Sequence, residues 1–293
     1  MKFGSVSWGW TPIPEDMPSG DSLEHIADKV KGLGFDIIDY LSTYDSLDVY
    51  FDDTTGKRIG NYARSIGLDI GGFVFQSSIW NNPDKEITDR QFFYLEKCFK
   101  VANNLGAGTI SCVLPQPFGT RYSPRPSPSD KIASNLPAVY NWQKDWELFA
   151  GNMKKATILA KKYGLRIAVE CFARSVCSTP NAMLDLLRDV NEPNFGIQLD
   201  TAHLMAQDID IETAIYMLGG KNIFNVHAKD SDGLTRLNLA PGCGLVDYKA
   251  VLRALKNVGY NGNISIEVEF STDPEANMRQ GLDYMKMIAK NVE

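Results

Sequence analysis

Apolar and polar residues alternate in four short runs of this chain. In Phe195-Gly196-Ile197-Gln198-Leu199-Asp200, Ile197 and Leu199 fall on one strand face and Gln198 and Asp200 on the other. The run from Leu165 sets Ile167 and Val169 against Ala168 and Glu170. The run from Ile223 sets Phe224 and Val226 against Asn225, His227 and Lys229. The run from Asn263 sets Ile264 and Ile266 against Ser265, Glu267 and Glu269. Each run is a predicted strand with a carboxylate or histidine near its C-terminal end. Earlier strands are predicted over Lys2 to Trp10, Asp36 to Leu41, Leu68 to Val74 and Thr109 to Leu114.

Helical stripes separate the strands. Asp21 and Ser22 can cap a helix running to Leu33, with Leu23, Ile26, Ala27 and Val30 on one stripe and His25 off it. Further helices are predicted over 55–66, Asp89 to Leu105 (closed by Gly106), Trp142 to Lys162, Pro180 to Val190, Asp210 to Leu218, 247–257 and 273–291. Strand and helix alternate eight times, and nothing marks a second composition regime. The expected fold is α/β, a single (β/α)8 TIM barrel over 1–293. An open doubly wound sheet is the alternative, but no GxGxxG follows the first strand.

The alternation breaks from Pro115 to Asn141. This stretch carries Phe118, Arg121, Tyr122, Arg125 and Tyr140 among Pro115, Pro117, Pro124, Pro126, Pro128 and Pro137. Such a long connection in a compact domain is usually functional or disordered. Following strand four, it would sit at the C-terminal face, where barrel active sites lie. It reads as a lid, or as a surface for a second copy of the chain or another subunit.

Composition narrows the function classes. The 293 residues are 44% hydrophobic and 23% charged, a globular balance. Net charge is −6, which disfavours a generic nucleic-acid binder. The five cysteines, Cys98, Cys112, Cys171, Cys177 and Cys243, are odd in number and form no CxxC pair. They suit a reduced intracellular protein better than a disulfide framework. No leader pattern opens the sequence, and no apolar run approaches the roughly 20 residues of a membrane span. A cytoplasmic protein without a membrane partner is expected.

Glu170, Asp200, His227 and Glu267 follow one another at about one βα unit each, roughly 30 residues. Placed at strand ends on the inward face, they form a set of hard and borderline ligands. One divalent metal ion is expected. Three carboxylates favour Mn²⁺, with Mg²⁺, Co²⁺ or Zn²⁺ also suited. Lys229 shares the face of His227 and could serve as an acid or as an ion-pair partner.

The set resembles the xylose-isomerase-like barrel superfamily, particularly its sugar isomerase and ketose 3-epimerase branch. The resemblance rests on Val169-Glu170, Leu199-Asp200-Thr201-Ala202-His203, His227-Ala228-Lys229-Asp230, Pro241-Gly242-Cys243-Gly244-Leu245-Val246-Asp247, and Gly259-Tyr260-Asn261-Gly262 before Glu267. It implies that Glu170, Asp200, His227 and Glu267 bind one divalent metal and that His203 contacts substrate. It also implies that Glu170 and Glu267 transfer a proton next to a carbonyl of a keto- or aldo-sugar.

Two departures bear on the substrate. That branch follows its first metal Glu with an Asn-Arg pair and then an acid that grips the sugar. Here Ala173-Arg174 and Val176 stand there, so only Arg174 remains as a substrate contact. The branch also places an Arg soon after the metal His, whereas here Arg236 is the nearest. With Trp10 near the end of strand one, these changes suit a bulkier substrate. The alternative is therefore a lyase resembling C-glycoside deglycosidases, acting on an oxidised glycoside. Abasic-site endonucleases share the barrel, but they resemble a three-zinc site rich in histidine, and this chain has three histidines. A non-catalytic binding barrel would have lost ligands, and all four are present.

Overall fold

The structure, a computed structural model, describes residues 1–10, 20–43, 47, 54–76, 80–113, 115, 117–119, 121–122, 134–135, 138–233, 238–268 and 271–292. Eight parallel strands close into a barrel. They are β1 (Phe3–Val6), β2 (Ile37–Thr43), β3 (Asp69–Gln76), β4 (Thr109–Val113), β5 (Arg166–Glu170), β6 (Phe195–Asp200), β7 (Ile223–Ala228) and β8 (Ile264–Ile266). Each pairs with its neighbours in chain order, and β1 closes on β8.

Helices follow the strands on the outside. They are α1 (Gly20–Leu33), α2 (Thr55–Ser65), α3 (Lys85–Leu105), α4 (Trp142–Lys162), α5 (Pro180–Val190), the short α6 (Thr201–Met205), α7 (Ile211–Leu218), α8 (Tyr248–Asn257) and α9 (Pro274–Ala289). Their starts lie where the capping residues stand. Asn141, Thr179, Asp210 and Asp247 each accept a backbone N–H of the first turn. Gly106 closes α3 in the left-handed region, at φ 86°. No helix among the described residues is long and apolar enough to cross a membrane.

Outward strand residues such as Ile167, Val169, Ile197 and Leu199 pack under the helices in one core. A separate small cluster, Val6, Trp8, Leu41 and Val74, comes from β1, β2, β3 and the turn after β1.

The first strand is shorter than the alternation predicts. It ends at Val6, and Ser7–Trp10 forms a 3₁₀ turn. Ser7 uses its side chain where a ladder partner would be, accepting Leu41 N at 3.2 Å. Trp10 Nε1 donates to Ser5 Oγ at 2.9 Å. At Gly9 an added methyl would come within 2.6 Å of Val268 O, so the turn packs directly on the backbone after β8. The last strand is also short, ending at Ile266, although Glu267 N still donates to Ala228 O at 3.3 Å.

Most of the Pro115–Asn141 stretch lies outside the described residues, as does Arg236. The part described includes a two-residue antiparallel pair, Arg121–Tyr122 with Ser134–Asn135. Both ends are tied down. Pro115 O accepts Val176 N at 2.9 Å. Asp145 Oδ2 on α4 accepts Phe118 N at 2.9 Å and the Tyr140 hydroxyl at 2.5 Å.

Candidate metal and substrate site

Register brings the four ligand candidates to one end of the barrel. Asp200 lies level with His227 across β6 and β7, and His227 lies level with Ser265 across β7 and β8. Glu170 closes β5 level with Gln198, and Glu267 stands one residue beyond β8. A register shift at Ile197 and Gln198 sets the polar faces of β6 and β7 opposite each other.

All four side chains are buried, and one ligand atom from each falls within 4.8 Å of every other. A divalent transition metal takes oxygen or nitrogen at about 2.0–2.2 Å, so opposing ligands stand about 4–4.5 Å apart. Glu170 Oε1, Asp200 Oδ2 and Glu267 Oε2 converge, with only His227 and Lys229 as donors among the described residues, 2.7–3.6 Å away. Three such oxygens beside an imidazole are the donor set a hard or borderline cation completes. The residues fit a divalent metal, and this donor set does not choose between Mn²⁺ and Zn²⁺.

His227 Nδ1 is the nitrogen that faces the carboxylates, 2.7 Å from Glu267 Oε2 and 3.6 Å from Glu170 Oε1. Lys229 Nζ lies 3.0 Å from Glu267 Oε2 and 3.5 Å from Asp200 Oδ2. These contacts set the acidities. Burial pushes the Glu267 carboxyl up, but Lys229 and His227 outweigh it and hold it far below the usual carboxylate range. Glu170 is also lowered: burial opposes, and its contact with His227 prevails. Asp200 is raised, because burial exceeds the attraction of Lys229. His227 is held well above its ordinary value; burial lowers it, but Glu267 and Glu170 dominate.

Of the other predicted site residues, His203 lies on α6, buried, with its ring 4.3 Å from Phe172 between centroids. Its Nδ1 is a buried atom without a hydrogen-bond partner. Arg174 follows β5 in the left-handed region, at φ 66°. Trp10 lies in the main core with its indole N–H on Ser5, and Trp8 is the tryptophan that joins the Val6 cluster. Val176, in the place of the epimerase acid, is buried.

Several supporting residues carried no signal in the pattern. Thr201 Oγ1 and the Tyr248 hydroxyl both donate to Lys229 O at 2.6 Å, fixing the backbone that aims Lys229. Cys171 Sγ accepts Asp200 N at 3.4 Å. Tyr248 sits on α8, far along the chain, so no local periodicity announces it. Asp230 has its own site: its carboxylate accepts Ser231 N and Gly242 N at 2.8 and 2.9 Å and Val246 N at 3.0 Å. It folds the turn that the resemblance singled out, without touching the ligand set.

Known proteins resemble this chain in sequence and fold. Inosose isomerase of Bacillus velezensis is 31% identical over 246 residues, covering 80% of this chain and 79% of that protein. This chain aligns with less than half the length of two other curated relatives, 47% of one and 42% of the other. A solved L-ribulose 3-epimerase superposes with a TM-score of 0.78 at 19% identity, over 99% of this chain and 95% of that one. A solved IOLI protein with a bound zinc atom superposes at 0.76 and 18% identity, over 100% of this chain and 99% of that one. At such identities the structural likeness shows the fold. The profile of the xylose isomerase-like TIM barrel family matches residues 27–288, and the chain belongs to that family.

Proposed function

We propose that this chain is a divalent-metal-dependent sugar isomerase or epimerase that moves a proton next to a carbonyl. The observation that carries the reading is the buried set of three carboxylates and one imidazole, whose ligand atoms converge at the C-terminal ends of barrel strands. The inosose isomerase relative supports the substrate class, a small polyol or sugar with a carbonyl.

Glu170, Asp200, His227 and Glu267 hold the metal. A bound divalent ion supplies Lewis acidity toward the substrate's carbonyl or hydroxyl oxygen. Glu170 or Glu267 takes the proton on the adjacent carbon, a step worth roughly 10²–10⁴-fold, and the other returns one. Return on the opposite face gives an epimer; return to the neighbouring carbon gives an isomer. His203 orients a hydroxyl through Nδ1, which is otherwise buried without a partner. Lys229, beside Glu267, stabilises negative charge developing on the substrate oxygen. Arg174 and Trp10 are the remaining substrate-side candidates. The described ends of the Pro115–Asn141 stretch are tied to Val176 and to Asp145.

A second reading, a lyase on a bulkier oxidised glycoside, is favoured by Val176. A buried valine offers no acid to grip a small sugar hydroxyl. Incubating the Mn²⁺-loaded protein with a panel of keto-sugars and keto-glycosides in heavy water separates the two. The proposed reaction puts deuterium on the carbon next to the carbonyl without a second product. Release of an aglycone selects the lyase. Absence of both across the panel contradicts proton transfer at this site.

A further inference from the structure

The turn after β5 sets an aromatic ring beside the ligand set but outside the core. Glu170 ends β5, and Phe172 N donates back to Glu170 O at 2.8 Å. Ser175 N then donates to Phe172 O at 3.1 Å, and Arg174 between them lies in the left-handed region, at φ 66°. Few non-glycine residues take that conformation, so this tight reversal is held by its surroundings. The Phe172 side chain is partly buried and joins neither apolar cluster of the barrel. A phenyl ring contributes most where it is buried in a core, so core packing does not account for this one.

The ring lies on His203. The two centroids are 4.3 Å apart and the planes are tilted by 50°, a direct contact at the near end of the range for aromatic pairs. The backbone of His203 is held from two sides. Asp200 Oδ1 accepts its N–H at 3.0 Å, and Gln207 Nε2 donates to its carbonyl at 2.9 Å. Gln207 Nε2 also donates to Ser178 O at 3.1 Å, which ties α6 to the segment after β5. The imidazole is buried, and its Nδ1 has no hydrogen-bond partner. The backbone bonds fix the Cα and leave the ring torsion χ2, which is broad for histidine. The Phe172 ring restrains that rotation.

We propose that Phe172 is a positioning residue for the reaction, its ring holding the His203 imidazole in the orientation in which Nδ1 meets a substrate hydroxyl. A misplacement of about 1 Å can cost on the order of 10²-fold in rate, so an imidazole free to turn gives up part of the orientation the site supplies. Phe172 acts through His203 and does not touch the reacting carbon. The inference rests on the isomerase or epimerase reading above and on the place of His203 in it.

The test is steady-state kinetics of the Mn²⁺-loaded protein on whichever keto-sugar of the panel above turns over fastest. The His203 ring signals are followed alongside by NMR of the metal-free protein. Phe172→Leu keeps an apolar side chain and removes the ring. Its kcat should fall roughly 2–12-fold, the worth of one aromatic pair, with KM near wild type and Mn²⁺ content unchanged. Phe172→Tyr keeps the ring and should restore kcat, a rescue that a purely structural role does not give. On a His203→Gln background Phe172→Leu should have no further effect on kcat, because the contact it removes is already gone. In the spectrum Phe172→Leu should shift the His203 ring signals, which are identified by their loss in His203→Gln. Phe172→Met serves as the deciding variant if Phe172→Leu does not fold. Wild-type kcat in the folded variant, a raised KM at unchanged kcat, an equal loss on the His203→Gln background or unmoved His203 signals each overturn this inference and leave the functional reading standing. A wild-type protein that turns over no keto-sugar of the panel overturns both.

Discussion

One carboxylate oxygen of Asp200 accepts the backbone N–H of His203 at 3.0 Å, while the other, Oδ2, faces Lys229 Nζ at 3.5 Å. The same side chain thus caps α6 and offers a candidate ligand atom, so the candidate metal and substrate residues share one anchor. Asp200→Asn keeps the cap and loses the charge; Asp200→Ala loses both. Both variants should lose metal. Only Asp200→Ala should also lose about 0.5–2 kcal/mol of metal-free stability, the usual worth of an N-cap. Denaturant titration of the two metal-free variants checks this. Equal stability would separate the cap from the ligand.

Glu267 pairs with both His227 and Lys229. Glu267→Gln keeps its shape and removes its basicity. On a substrate that turns over, kcat should fall roughly 10²–10⁴-fold and KM should move little, because the lost interaction belongs to the transition state. Steady-state kinetics at saturating metal decide it; a rise in KM with unchanged kcat would make Glu267 a binding residue only.

pH should act on the metal-free protein in opposite senses at its two ends. His227 has a raised folded pKa, so its contribution is full below about 6.5 and is lost as pH rises through the folded value. Glu267 is depressed, so its contribution is present above about 4.3 and is lost as pH falls toward its folded value. A metal must displace the His227 proton, so metal affinity should climb with pH across the range where metal-free stability declines. Thermal midpoints and Mn²⁺ titrations over one pH series test the pairing. Affinity independent of pH would place the ion elsewhere.

The Asp230 carboxylate accepts three backbone N–H groups, two of them, Gly242 and Val246, from the turn it anchors and the third from Ser231. Removing a buried carboxylate that accepts this many should cost on the order of 3 kcal/mol. Asp230→Ala should therefore lower the thermal midpoint clearly, and Asp230→Asn less so, with metal affinity near wild type in both. Metal loss in a folded Asp230→Asn protein would tie the turn to the site.

The ligand set was legible because strand alternation is local: Ile197 and Leu199 facing the helices oblige Gln198 and Asp200 to face the barrel axis. Helix starts at Pro180, Asp210 and Asp247 were legible for the same reason, since a first-turn proline or a cap acts within one turn. The end of the first strand misled because Ser7 satisfies Leu41 N with its side chain, which alternation does not encode. The Asn225 to Gln198 contact and the Tyr248 hydroxyl on Lys229 join distant segments, and only register and helix placement bring them together.

We infer that Glu170, Asp200, His227 and Glu267 together hold one divalent ion. Elemental analysis of the purified protein after titration with Mn²⁺ and exhaustive dialysis tests it most directly, with His227→Ala run in parallel. The expected result is one ion per chain in the wild type and almost none in the variant. An ion content that is zero in the wild type, or unchanged in the variant, would contradict the account.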